Sequence, residues 1–129
     1  MEDSFGEDSF VFPFEKIEVW RLSVDLADYV FGLLESLPPN KHFRIIGQME
    51  AAVSGISQNV AEGKGRQYNK EFIQFLYIAI GSLFEVLTLA EIFKRRKLFK
   101  AKEACQVRDK AKIIYRKTTA LIRSLKHRA

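Results

Sequence analysis

Chemistry-bearing residues are scarce in this sequence, and each scarcity excludes something. There is one cysteine, Cys105, so neither an internal disulfide framework nor a cysteine-based zinc knuckle can form, and a reducing, cytoplasmic setting is the default expectation. The two histidines, His42 and His127, stand near segment ends and no Glu-x-x-His pair occurs, which removes the di-iron type of helical bundle. Three prolines and seven glycines are too few for a loop-rich sandwich or barrel. No basic stretch followed by an apolar run opens the chain, so no signal peptide is expected. The longest uncharged apolar stretch, Phe72 to Phe84 with Gln74 inside it, is shorter than the roughly 20 residues of a membrane span, and Glu85 and Glu91 follow it. A soluble protein is expected.

What is present reads as one ordinary globular domain. The 129 residues are 47% hydrophobic and 29% charged, enough apolar material for a core and too much for a disordered chain. Apolar residues recur at three- and four-residue steps in four long segments, about 17–36, 41–62, 69–94 and 101–126. The first segment carries one line through Val19, Leu22, Leu26, Tyr29 or Val30, and Leu33 and a second through Trp20, Val24, Ala27, Phe31 and Leu34. Pro38 ends it, because a proline disfavours helix at the residue before it. The second has Ile46, Met49, Val53, Ile56 and Val60, with small residues such as Ala51, Ser54, Gly55 and Ala61 on its other side. Asn40 is the expected N-cap, and Gly63 and Gly65 are expected to end the helix in left-handed conformations.

The third segment is apolar nearly all round, from Phe72 to Phe93, which marks a helix buried on several sides. A bundle of this size gives it two neighbours only, so the surplus surface predicts an oligomer. The fourth buries Ala104, Val107, Ala111, Ile114, Thr118, Leu121 and Leu125. Short connections at 37–40, 63–68 and 95–100 imply an all-α, antiparallel up-down-up-down four-helix bundle over 13–129, preceded by a flexible acidic tail over 1–12. No strand pattern, internal repeat or low-complexity block is evident.

Catalytic constellations are missing. Cys105 has no histidine at helical spacing and reads as a small core residue. Glu62, Glu71, Glu85 and Glu91 lack the histidines a metal centre would need, so no metal and no cofactor is expected. Gly63-Lys64-Gly65-Arg66 follows a helix and not a strand, and lacks the spacing and hydroxyl of a phosphate loop. Arg66 could still meet a phosphate at the amino end of the third helix. Asn59, Glu62, Ser82 and Glu85 lie among apolar neighbours and are expected to form a satisfied polar network that fixes helix register.

Charge is what stands out. Residues 1–35 hold nine acids and two bases, whereas residues 94–129 hold fourteen bases and two acids, Glu103 and Asp109. The candidate anion-binding residues are Arg66, Lys94, Arg95, Arg96, Lys97, Lys100, Lys102, Arg108, Lys112, Arg116, Lys117 and Arg123. Such a surface suits sequence-independent, salt-sensitive binding of RNA or DNA. Few aromatics interleave with the bases, so stacking on single strands has little support. The alternative is that the basic fourth helix pairs with the acidic first helix, in its own or a neighbouring subunit.

Three stretches carry a family resemblance. Asn59-Val60-Ala61-Glu62-Gly63-Lys64-Gly65-Arg66 resembles N-I-A-E-G-x-G-R, the run Glu71 to Glu85 resembles E-F-x-x-F-L-x-I-A-x-G-S-L-x-E, and Phe14 to Trp20 resembles F-x-x-L-x-V-W. These are motifs of the four-helix-bundle family first named for intervening sequences in 23S ribosomal RNA genes, and the likeness covers about residues 14–125. It implies a ring of five subunits. It also implies kinship with the accessory variability determinant of diversity-generating retroelements, which is similar in fold, binds nucleic acid and partners a reverse transcriptase. The chain departs from the family where Q-L-R-R-A reads Gln48-Met49-Glu50-Ala51-Ala52 and where the proline of S-I-P-x-N is Ser57. Both helix-two bases are thus absent. The expected function is a non-enzymatic, ring-forming, nucleic-acid-binding accessory protein that serves a reverse transcriptase. The alternative is an oligomeric scaffold with no nucleic-acid role.

Overall fold

A computed structural model of the chain describes residues 9–128, so most of the expected acidic tail lies outside the described residues. A 3-10 turn, Pro13–Lys16, leads into α1, Glu18–Glu35. Then come α2, Phe43–Lys64, α3, Asn69–Arg95, and α4, Ala101–Arg128. No strand occurs among the described residues. Each helix packs on its sequence neighbours, and α1 closes against α4, so α1 and α3 stand on one diagonal and α2 and α4 on the other. This is a four-helix bundle, and the helices fall within two residues of the segments read from periodicity.

Periodicity also located the core. Leu26 and Val30, Met49, Val53 and Ile56, Leu76, Leu83 and Phe93, and Val107 and Ile114 are shielded almost completely, each helix supplying its own stripe. Each such side chain contributes about 1.5–3 kcal/mol by leaving water. On α4 the stripe passes through Ile122, with the expected Leu121 only half-buried beside it, and ends on Leu125. Thr118 is buried and satisfied, its hydroxyl donating to the Ile114 carbonyl at 2.7 Å. The hydroxyl of Ser23, fully buried on α1, has no hydrogen-bond partner among the described residues.

The helix ends differ from the expectation. Asn40 does not cap α2: the cap is His42, in the left-handed region at φ 64° and without a side-chain bond. Neither Gly63 nor Gly65 has positive φ. Gly63 is instead the last buried position of α2, and a β-carbon there would stand 2.9 Å from a ring carbon of Phe72 and 2.6 Å from the β-carbon of Phe75. The glycine is required by close approach of α3. The left-handed residue that ends a helix is Lys97, at φ 64°. Its N–H donates to the Lys94 carbonyl at 3.0 Å, and the next N–H, of Leu98, reaches the Phe93 carbonyl at 2.8 Å. This is the doubled hydrogen-bond closure in which glycine is usual. Phe99 seals it, its ring centroid 4.8 Å from that of Phe93.

By length and composition α3 is a candidate to cross a membrane, which the count of uncharged residues missed. In the bundle its inner line faces α2 and α4. Its outer line does not find cover: Tyr77, Ile78, Phe84 and Ile92 are 51%, 52%, 50% and 38% exposed. The second apolar line of α1 is mostly half-buried, with Val24 exposed.

Candidate nucleic-acid interface

The twelve candidate bases do not form one cluster. Lys94, Arg95, Arg96, Lys97 and Lys100 crowd the α3–α4 connection, because α3 ends in a basic run and α4 begins at once after it. Lys94, Lys97 and Lys100 border a cleft of about 670 Å³ that Ser36, Leu37 and Phe99 also line. The N–H of Lys100 is held by the Glu103 carboxylate at 2.8 Å, the reciprocal half of a helix-capping arrangement, which fixes the start of α4.

Along α4 the bases divide by helical angle. Lys102, Arg116 and Arg123 recur at seven-residue intervals on the outward side, with Asp109 in the same line and Lys112 beside it. Arg108 and Lys112 border α3, where they meet Phe84 and Tyr115. Lys117 turns to α1 and pairs with Glu18 at 3.2 Å, both half-exposed. Lys110 likewise lies over the Tyr29 ring, 5.1 Å from its centroid. Burial raises the Tyr29 phenol above its ordinary value, and the Glu103 carboxylate adds to the rise.

Arg66 stands apart. It precedes the amino end of α3, about 40 Å of helix away from the α3–α4 connection. It pairs with Glu62 at 3.0 Å and lies 4.7 Å from the Phe75 ring centroid, so its charge is already engaged. Lys94 and Arg95 are also engaged, by Glu91 at 3.3 and 2.9 Å. Hydrogen bonds from Arg95, then Lys94, hold the Glu91 carboxyl below its ordinary value. The three- and four-residue spacing along one helix is the sequence signal for this triad. What remains is Arg96, Lys97, Lys100, Lys102, Arg108, Lys112, Arg116 and Arg123, all exposed and with no side-chain ion pair among the described residues.

The expected polar network is not formed within the chain. The Asn59 amide donates back to the Gly55 carbonyl at 2.7 Å, Glu62 pairs with Arg66, and Glu85 is exposed. Ser82 packs across from Gly55, its hydroxyl 3.2 Å from where a β-carbon on that glycine would be. Burial was inferred from apolar neighbours in sequence, but Glu85 sits on the outer line of α3. The same reasoning misplaced Cys105, which is exposed, with its sulfur 4.0 Å from the Asp109 carboxylate. No group of three or more His, Cys, Asp or Glu that could hold a metal ion occurs among the described residues.

Comparison with known proteins agrees with this architecture. The model of the 23S rRNA-intervening sequence protein family matches residues 15–120. A solved structure described as a protein with unknown function from the S23 ribosomal protein family, from Bacteroides thetaiotaomicron, superposes with a TM-score of 0.74 at 20% identity, covering 81% of this chain and 97% of that one. At that identity the likeness speaks for the fold. No curated protein matches the chain. The chain belongs to the 23S rRNA-intervening sequence protein family.

Proposed function

We propose that this member of the family is a non-enzymatic nucleic-acid-binding protein that works as a homo-oligomer and as an accessory to another protein. The observation that carries the reading is the set of eight exposed bases on α4 and the α3–α4 connection that have no acidic partner among the described residues. From Lys102 to Arg123 the outward line extends for about 30 Å of helix, close to one turn of duplex. A surface of this kind neutralises phosphates and releases counterions, giving affinity without base specificity. Self-association is supported by the uncovered apolar line of α3, where Tyr77, Ile78, Phe84 and Ile92 share one side of the helix. A ring of five and a retroelement reverse transcriptase as the protein served are what the sequence resemblance adds.

The test is a gel-shift titration with structured RNA and duplex DNA at two salt concentrations, using the full chain and Lys102→Glu/Arg116→Glu/Arg123→Glu. Tight binding at low salt, weakened both by added salt and by the triple variant, is expected. Binding indifferent to salt, or unchanged in the variant, would overturn the reading. Co-purification of a reverse transcriptase with the tagged chain from its own cells tests the accessory role.

A second reading, a scaffold with no nucleic-acid role, is favoured by Lys117 on Glu18 and Lys110 over Tyr29, where basic α4 leans on acidic α1. Under it, the triple variant weakens assembly and nothing shifts in the gel. Under the leading reading, assembly survives and the gel shift is lost.

A further inference from the structure

The uncovered face of α3 joins α4 in a groove with a distinct chemistry. Phe84 and Tyr115, ring centroids 5.7 Å apart, stand over Leu87 and Ala111, and Arg108 and Lys112 form the basic rim. The space enclosed is about 170 Å³, comparable to the roughly 150 Å³ that accommodates a benzene ring. An occupant suited to it carries an aromatic ring next to carboxylates.

The chain contains such a segment. A short repeat does occur near the amino end: Glu2-Asp3-Ser4-Phe5 recurs as Glu7-Asp8-Ser9-Phe10, with Val11 and Phe12 following. These residues hold four acids and no base before Lys16. Phe10, Val11 and Phe12 are 65%, 45% and 53% exposed. The root of the segment is fixed elsewhere: the Pro13–Lys16 turn packs on α1 and α2, and Phe14 meets Trp20 with centroids 5.0 Å apart. The groove is on the opposite side of the bundle. Phe10 has three residues of slack from Pro13, about 10 Å, too little for the about 20 Å needed to pass around two helices, whereas Phe5, with eight residues and about 26 Å, could make that passage.

We infer that the acidic aromatic segment of one copy docks in the α3–α4 groove of a second copy, with Phe10 between Phe84 and Tyr115 and the neighbouring carboxylates of Glu7 and Asp8 on Arg108 and Lys112. The contact is head to tail, since segment and groove are different surfaces on opposite sides of each subunit, and it therefore builds a ring or a chain and not a two-fold dimer. This rests on the self-association proposed above and takes Arg108 and Lys112 out of the surface offered to nucleic acid, whose binding the Lys102, Arg116 and Arg123 line tests separately.

Two full-length variants decide it: Phe5→Ser/Phe10→Ser, with an intact groove, and Arg108→Glu/Lys112→Glu, with an intact segment. Mass is measured by light scattering after gel filtration, and helicity by circular dichroism confirms that each variant is folded. The wild-type chain is expected as an oligomer and each variant alone as a monomer. Mixing the two variants is expected to give a 1:1 dimer, because one intact segment then meets one intact groove. A wild-type oligomer whose mass neither variant changes overturns the docking and leaves self-association standing. Monomeric wild-type protein overturns both. Variants that stay monomeric on mixing show the segment does not act between copies, and overturn the docking.

Discussion

Gly63 on α2 and Phe75 on α3 approach so closely that a β-carbon on the glycine would lie 2.6 Å from the β-carbon of the phenylalanine. No real β-carbon contact is that short, and the obstacle is the base of a side chain that cannot swing away. The small residue therefore sets the spacing of the two helices just before the chain turns from one to the other.

Gly63→Ala is expected to destabilise the protein by about 1–3 kcal/mol, although alanine is the better helix former, because the helices must separate. Urea unfolding of both proteins measures it. A gain in stability would show that the backbone can relax and that spacing is not what the glycine provides.

Lys97→Gly should act in the opposite direction. The left-handed conformation costs a lysine roughly 1 kcal/mol that a glycine does not incur, and the two closing hydrogen bonds at 2.8 and 3.0 Å involve only main chain. A midpoint shift to higher denaturant is expected. If Lys97 also touches phosphate, the same variant shows a shallower salt dependence of nucleic-acid binding.

Ser23→Ala removes a buried hydroxyl that has no partner among the described residues. Its desolvation is then no longer incurred, and alanine favours the helix, so stability should rise by about 1 kcal/mol. A loss on calorimetric unfolding would mean that the hydroxyl is satisfied in solution.

Glu91→Gln releases Lys94 and Arg95 from their shared carboxylate. Nucleic-acid affinity at low salt should increase and its salt dependence steepen, as two more cations face the phosphates. The pH response has a defined sign. A carboxyl held below its ordinary value stabilises the fold when ionised, and that contribution fades as pH falls through the lowered value. Thermal unfolding curves of wild type and variant should therefore converge in acid and separate above the ordinary carboxylate range, by a small margin because Glu91 pairs with its partners in solvent.

Much of the fold was legible because helical periodicity is a local property. The stripes through Leu26, Ile56, Leu83 and Ile114 are visible in sequence order and are buried in the bundle. The candidate interface was legible only as a list of charges. Spacing along one helix could have shown that Glu91 takes Lys94 and Arg95. It could not have shown that Lys117 turns to Glu18, since that depends on how α4 is rotated against α1.

The sequence by itself determined four amphipathic helices, a polarised charge distribution and membership of a family. Those follow from residue spacing and composition, which require no knowledge of neighbours. Tertiary structure alone decided that Gly63 serves packing, that Lys97 takes the left-handed turn, that Glu85 and Cys105 face outward, and that Phe84 and Tyr115 share a groove with Arg108 and Lys112. The reason is geometric: a helix that is apolar nearly all round has only two neighbours in a four-helix square. Which of its faces stays uncovered depends on the rotation and depth at which the helices meet.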